Sequence, residues 1–247
     1  MGQLSTLRWA GSGRYGRTAW PWADANDAYI LQVGGGNYST QEQSGAFGTV
    51  AGAQFGAYND LVQTQEGLGN TALSLQAGFG NKVEQSQEGW FSAGNLATAV
   101  QLGVDNSAKQ KQSGFGHDAL AIQIGGYNKA KQEQSGLQGG HEAAILQIGL
   151  GNKAEQYQTG KKNTATSVQL GIGSHSEQDQ WGSNGEAAVL QIGYENTAYQ
   201  HQGGKDNVAV AVQGGARNHV HQDQYARNDY AVAVQVGVGN SAYQTQR

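Results

Sequence analysis

The stretch ILQIGLGNKAEQYQTG, Ile145 to Gly160, holds three glutamines, Gln147, Gln156 and Gln158, with Gly149 and Asn152 between them. Counted from Gln147, these sit at offsets 0, +9, +11, +2 and +5. The same template fits the chain ten times. The glutamine at 0 recurs as Gln32, Gln54, Gln76, Gln101, Gln123, Gln147, Gln169, Gln191, Gln213 and Gln235, spaced by 22 residues except for one interval of 25 and one of 24. The glutamine at +11 recurs as Gln43, Gln65, Gln87, Gln112, Gln134, Gln158, Gln180, Gln202, Gln224 and Gln246. Every copy also has Gly at +2 and Gln at +9. The +5 asparagine appears as Asn37, Asn59, Asn81, Asn106, Asn128, Asn152, Asn196, Asn218 and Asn240, and Ser174 is the one departure. A fixed period of about twenty residues is the mark of stacked repeats. Residues 28–247 therefore read as one array, preceded by a non-repeat segment, 1–27.

Within a copy, glycines at +2 and +13 separate two extended segments, and the interval from +2 to +5 reads as a tight turn in which Gly reaches positive φ without steric cost. The second segment alternates: Lys153, Glu155 and Tyr157 are polar or charged, whereas Asn152, Ala154, Gln156 and Gln158 are small or amide-bearing. Alternation of period two means a β-strand with one face in and one out. Two such strands cannot bury a face alone, but copies stacked at about 4.8 Å bury it continuously. The expected fold is all-β, a β-solenoid of ten strand-turn-strand copies, about 48 Å long at that spacing. Identical side chains then lie above one another, and each buried amide both donates to and accepts from its neighbours. An unpaired amide in that interior costs roughly 1–3 kcal/mol, so a ladder demands the same residue in every copy.

Composition narrows the class. With 39 glycines and one proline the chain would suit a disordered or prion-like segment, but strict periodicity argues otherwise. The formal net charge is -4 and there are no basic runs, so nucleic acid is not an expected partner. The absence of cysteine removes disulfides and thiolate metal sites. No apolar run approaches the roughly 18 residues needed to span a membrane. Residues 1–27 lack the apolar core of a signal peptide, which leaves an intracellular chain or one numbered from a processed or engineered start.

The pattern Q-x-G-x-x-N-x-A-x-x-x-Q, present as Gln147, Gly149, Asn152, Ala154 and Gln158 and again as Gln191, Gly193, Asn196, Ala198 and Gln202, resembles the curlin repeat of bacterial curli subunits. The serine usual in that family six residues before the first Gln is mostly replaced, as by Asn70, Asn95, Asn163 and Asn207, and the +9 glutamine is a feature of this sequence. The resemblance covers about nine-tenths of the chain, residues 28–247 of 247. It implies a secreted functional amyloid, a subunit of an extracellular fibre on the bacterial cell surface that serves in biofilm matrix and adhesion. Its implied partners are further copies of itself, a nucleator subunit and outer-membrane secretion machinery. Both a major-subunit role and a nucleator role are compatible with it.

In the first segment, inward-pointing Gln at 0 places -4 and -2 inward as well: Ala143 and Ile145, Ala187 and Val189, Ala209 and Ala211. Offsets -1 and +1 then point out and are aliphatic in most copies, for example Leu146 and Ile148, Leu190 and Ile192, Val234 and Val236. Either this stripe, on the order of 500 Å², is an apolar flank covered by another filament or by the N-terminal segment, or the strand parity is reversed and the stripe is core. The N-terminal segment, with Leu4, Leu7, Trp9, Tyr15, Trp20 and Trp22 among Arg8, Arg14 and Arg17, suits either secretion targeting or a cap over the first copy.

No catalytic constellation recurs, and no cofactor is expected. The six histidines read as outward or loop residues. His219 and His221 share the outer face of one strand, with His201 one copy back at roughly 8 Å from His221 on strand and stacking spacings, and solvated side chains are the default reading there. The glycine turns lack the Asp-bearing nonapeptide of calcium-binding β-rolls and the Lys-Ser/Thr of a phosphate loop. A fibre-forming structural protein is the first expectation. A soluble β-solenoid binding or adhesin module that does not polymerise is the second, although an ice-binding face would need regular Thr rows that are missing. A β-helix carbohydrate enzyme comes last, because the loops between copies are short. The final copy stops at Gln246 and Arg247, straight out of its ladder. Polymerisation is therefore expected between Asn240, Gln244 and Gln246 at one end and Gln32, Asn37, Gln41 and Gln43 at the other.

Overall fold

A computed structural model describes residues 26–89, 92–136 and 139–247. Expectations for the N-terminal segment before Asn26 lie outside these residues. Each copy contributes two strands. In the first copy these are β1 (Asp27–Gly35) and β2 (Tyr38–Ala46); in the sixth, β11 (Glu142–Leu150) and β12 (Lys153–Thr159); in the last, β19 (Tyr230–Val238) and β20 (Ser241–Gln246). The ten odd-numbered strands form one parallel sheet and the ten even-numbered strands a second, each in chain order. The chain is thus a β-solenoid of ten coils. Pairing is in register throughout, so that Gln147 stands between Gln123 and Gln169, and Gln156 between Gln132 and Gln178.

Two turns close each coil, and both use one left-handed residue. After β11 it is Gly151 (φ 65°), directly before Asn152; after β12 it is Lys162 (φ 51°), directly before Asn163. The coil is therefore built from two similar halves of 11 residues: Gln147, Gly149, Gly151, Asn152 and then Gln158, Gly160, Lys162, Asn163. The +2 glycines are fixed by close approach. A Cβ on Gly149 would lie 1.9 Å from the carbonyl oxygen of Gly171 in the next coil.

Between the sheets runs a thin apolar strip in which position -2 of the odd strand faces position +7 of the even strand, with a large residue meeting a small one in several coils and alanine meeting alanine in others. Gly52 faces Leu61, with a Cβ on Gly52 only 2.3 Å from a Leu61 methyl. Further along, Ile145 and Ala154 share one buried cluster with Leu61 and Val83, and Val189, Ala198, Ala211 and Val220 form another. The break between these clusters falls at the Gln169 coil, where Ser167 and Ser176 replace apolar residues and bond to each other through their hydroxyls at 2.6 Å. Most of the remaining buried polar groups are amides. Filling a sheet interior with Gln and Asn is tolerable only because in-register stacking satisfies each one.

Inward and outward parity follow the alternation. Ala143, Ile145, Ala187, Val189, Ala209 and Ala211 are buried, whereas Ile148, Ile192, Val234 and Val236 are exposed. The aliphatic stripe is thus an outer face of the first sheet and not core. The outer face of the second sheet is charged, with half-buried ion pairs such as Lys109 with Glu84 (2.6 Å) and Lys153 with Glu155 (2.8 Å). Among the described residues, no helix is long and apolar enough to cross a membrane.

Candidate functional site: the amide ladders and the two edges

All three glutamine columns form unbroken ladders, and all three have the same polarity. In the 0 column Gln147 Nε2 donates to Gln169 Oε1 at 2.8 Å, in the +9 column Gln156 to Gln178 at 2.8 Å, and in the +11 column Gln158 to Gln180 at 2.9 Å. The donor is always the earlier coil. From the second coil onward each Nε2 also donates to a backbone carbonyl, as Gln156 does on Ala144 O at 3.0 Å and Gln158 on Glu142 O at 2.9 Å. Those carbonyls belong to the odd strands, so from the second coil onward the +9 and +11 glutamines also tie their sheet to the other.

The +5 asparagines run the other way. Asn152 donates both its backbone N–H and its Nδ2 to Asn128 Oδ1, at 3.1 and 3.2 Å. Ser174 accepts the geometry from below, its N–H donating to Asn152 Oδ1 at 3.1 Å. Its short hydroxyl then fails to reach Asn196, and the buried Oγ has no hydrogen-bond partner. The column resumes at Asn218, which donates to Asn196 at 3.1 Å.

A fourth column sits six residues before each leading glutamine, and the sequence reading assigned its histidines wrongly. His117 and His141 are fully buried, not outward or in loops. They occupy the place held elsewhere by Asn70, Asn95 and Asn163, and their Nδ1 atoms stand in for the asparagine Oδ1. His117 N–H donates to Asn95 Oδ1 at 2.9 Å, His141 N–H to His117 Nδ1 at 3.3 Å, and Asn163 N–H to His141 Nδ1 at 3.1 Å. The role requires a neutral ring with Nδ1 unprotonated. Burial holds both rings below the usual imidazole range, His141 down to about 4 with help from the neighbouring His117 ring. The 11-residue half-repeat was the available signal, since it puts these histidines at the same half-coil position as Asn152.

The edges of the two sheets are β1 and β2 on one side and β19 and β20 on the other. At the second edge Gln235 Nε2 donates to His219 O at 3.0 Å, Gln244 to Val232 O at 2.9 Å and Gln246 to Tyr230 O at 3.1 Å. Each makes the backbone bond of its column, while the N–H that elsewhere reaches the next coil faces off the edge. Asn240 lies beside them, bonded back to Asn218 Oδ1 at 2.9 Å. At the first edge Gln41 and Gln43 donate forward to Gln63 and Gln65, at 2.8 and 3.1 Å, so that their amide oxygens face the other way. Gln32 and Asn37 complete that edge and are tied to the second coil through Gln54 and Asn59. At the +9 and +11 offsets one edge thus offers glutamine N–H groups and the other glutamine oxygens, while the asparagine column, of opposite polarity, turns Asn240 Oδ1 toward the second edge.

On the outer face of the second sheet, Asp179, His201 and Asp223 stand in consecutive coils as their spacing implies. His201 and His221 are closer than backbone spacings suggest. Their ring centroids are 5.3 Å apart, because both side chains lean to bond Asp223. Comparison with protein-family models and with curated proteins finds no match for the chain.

Proposed function

We propose that this chain is the structural subunit of a curli-like extracellular fibre, assembling end to end with strands perpendicular to the fibre axis. The observation that carries the reading is ladder polarity. Because the glutamine columns all point the same way, the β19–β20 edge of one copy presents the donors that the β1–β2 edge of another can accept. A contact between two different surfaces of identical chains does not close on itself and so propagates. Exposed parallel edges also template further strand pairing. Secretion to a bacterial surface, and association with a nucleator and an export pore, rest on the resemblance of the repeats alone. The role is structural rather than catalytic.

The exposed apolar face of the first sheet favours a second reading, a soluble β-solenoid that binds a partner or adheres through that face without polymerising. The two are separated by sedimentation and fibre diffraction of the purified full chain. The fibre reading expects filaments with a meridional repeat of about 4.8 Å, and expects Gln244→Glu with Gln246→Glu to stop elongation while the far-ultraviolet spectrum stays that of the folded chain. Wild-type protein that stays monomeric for weeks at tens of micromolar would refute it.

A further inference from the structure

We infer that His201, His221 and Asp223 form a binding site for one borderline divalent transition-metal ion, of the Zn²⁺, Ni²⁺ and Cu²⁺ class, on the outer face of the second sheet. The site is independent of the fibre reading.

The site is assembled by register. His201 lies in β16 (Thr197–Gln202), and His221 and Asp223 lie two residues apart on the same face of β18 (His219–Gln224). Parallel pairing sets His201 directly beside Asp223, and Tyr199 beside His221. Residues far apart in the chain thereby become neighbours at the strand spacing. One ligand atom from each of the three residues lies within 4.8 Å of the others. Asp223 Oδ1 is 3.1 Å from His201 Nδ1 and 2.9 Å from His221 Nε2, so both imidazoles already converge on one carboxylate oxygen. The rings meet nearly edge to face, at 88°. An ion replacing the shared hydrogen bonds takes Nδ1 of His201 and Nε2 of His221, which give up the protons they share with Asp223, so that each neutral ring then carries its proton on the other nitrogen.

The ligands are held before any ion arrives. Their side chains are half-buried, 27, 30 and 18% exposed for His201, His221 and Asp223. His221 packs between the rings of Tyr199 and Tyr243, with centroids 6.0 and 6.1 Å away. Two imidazoles and one carboxylate, with the remaining positions open to solvent, suit borderline ions. Calcium and magnesium demand an oxygen-rich shell that two nitrogens cannot supply. Asp179 stands on the far side of His201, and with Glu177 forms an overlapping set that shares this imidazole. Occupancy of one set therefore excludes the other.

Titration calorimetry of the full chain at pH 7.5 tests the site, with ZnCl₂ as the probe. One saturable equivalent is expected, with affinity lowered at least tenfold in His201→Ala and in His221→Ala and unchanged in His175→Ala, which lies on the same face. Thermal melts check that each variant is folded, and Asp223→Asn, which keeps the side-chain shape, serves if an alanine variant is not. With Cu²⁺ as the probe, electron paramagnetic resonance is expected to show coupling to two imidazole nitrogens in the wild type and to one in His221→Ala. Absence of saturable binding, binding that survives both histidine substitutions, or loss confined to His175→Ala would overturn the assignment.

Discussion

The imidazoles of His117 and His141 stack 4.8 Å apart and 13° from parallel inside the solenoid, each accepting a backbone N–H from the coil that follows. A proton on either Nδ1 would set one donor against another where both rings are fully buried. Neutral rings are the folded form, and the unfolded chain protonates at the ordinary value near 6.5 while folded His141 holds out to about 4. Stability is therefore full above about pH 6.5 and falls as pH drops toward 4, by about 3 kcal/mol from His141 alone, with His117 adding in the same direction. Melting curves between pH 7 and 4.5 are expected to show this slope, and His117→Asn with His141→Asn, which restores the amide column, is expected to flatten it. An unchanged slope would mean that the pair is not buried as described.

The +9 column makes a second expectation. Gln156→Leu removes the acceptor for Gln132 Nε2 (3.0 Å) and the donors to Gln178 Oε1 and Ala144 O (2.8 and 3.0 Å). Buried polar groups left unpaired cost roughly 1–3 kcal/mol each, so a loss of about 3 kcal/mol or more is expected in chemical denaturation. The neighbouring Glu155→Gln loses only the solvent-reachable pair with Lys153 and keeps the side-chain shape, and is expected to cost about 1 kcal/mol or less.

Two glycines of one turn should respond in opposite degrees. Gly149→Ala drives a methyl to within 1.9 Å of Gly171 O at a φ of +127°, and neither backbone can give way without breaking pairing. Gly151 has open space around its Cβ position at φ +65°. Gly151→Ala is expected to cost about 1–2 kcal/mol, the ordinary penalty of the left-handed region, and Gly149→Ala distinctly more. Equal melting temperatures would show that the coils are not packed this closely.

The serines of the Gln169 coil can be repaired. Ser174→Asn supplies the acceptor that Asn196 lacks and is expected to add about 1 kcal/mol. Ser176→Ala alone strands the Ser167 hydroxyl, but Ser167→Ala with Ser176→Ala removes both partners together and is expected to be near neutral or stabilising. A double-mutant cycle measures the coupling between them.

How much of this was legible follows from what repeats. Gln147, Gln156 and Gln158 announced their ladders because only in-register stacking explains three identical offsets ten times over, whereas the first strand's alternation left two parities open, and the structure decides between them by burying Ile145 and exposing Ile148. His117 and His141 were misplaced because their column tolerates several residue types: whatever offers one acceptor to the N–H above will serve, whether Asn Oδ1 or imidazole Nδ1. The complementarity of Gly52 and Leu61 is a property of pairs across the coil, invisible to a template that scores one position at a time. His201 and His221 were placed by backbone spacing, which takes no account of side chains leaning toward a shared carboxylate.

Under tension along the axis, the coils are links in series, and a chain of links parts where the bonding across one junction is thinnest. The Gln169 coil has serines where its neighbours have apolar residues, and its Ser174 offers nothing to Asn196. One coil further on, Gly185 receives a bond from below through Asn163 Oδ1 but has no side chain to pass one upward to Asn207. Gly48 leaves the same gap before Asn70, but alone; between the Gln169 and Gln213 coils two adjacent junctions are under-fastened. Pulled from its ends, the molecule should first yield around the Gln191 coil, releasing two intact blocks instead of unravelling from a tip.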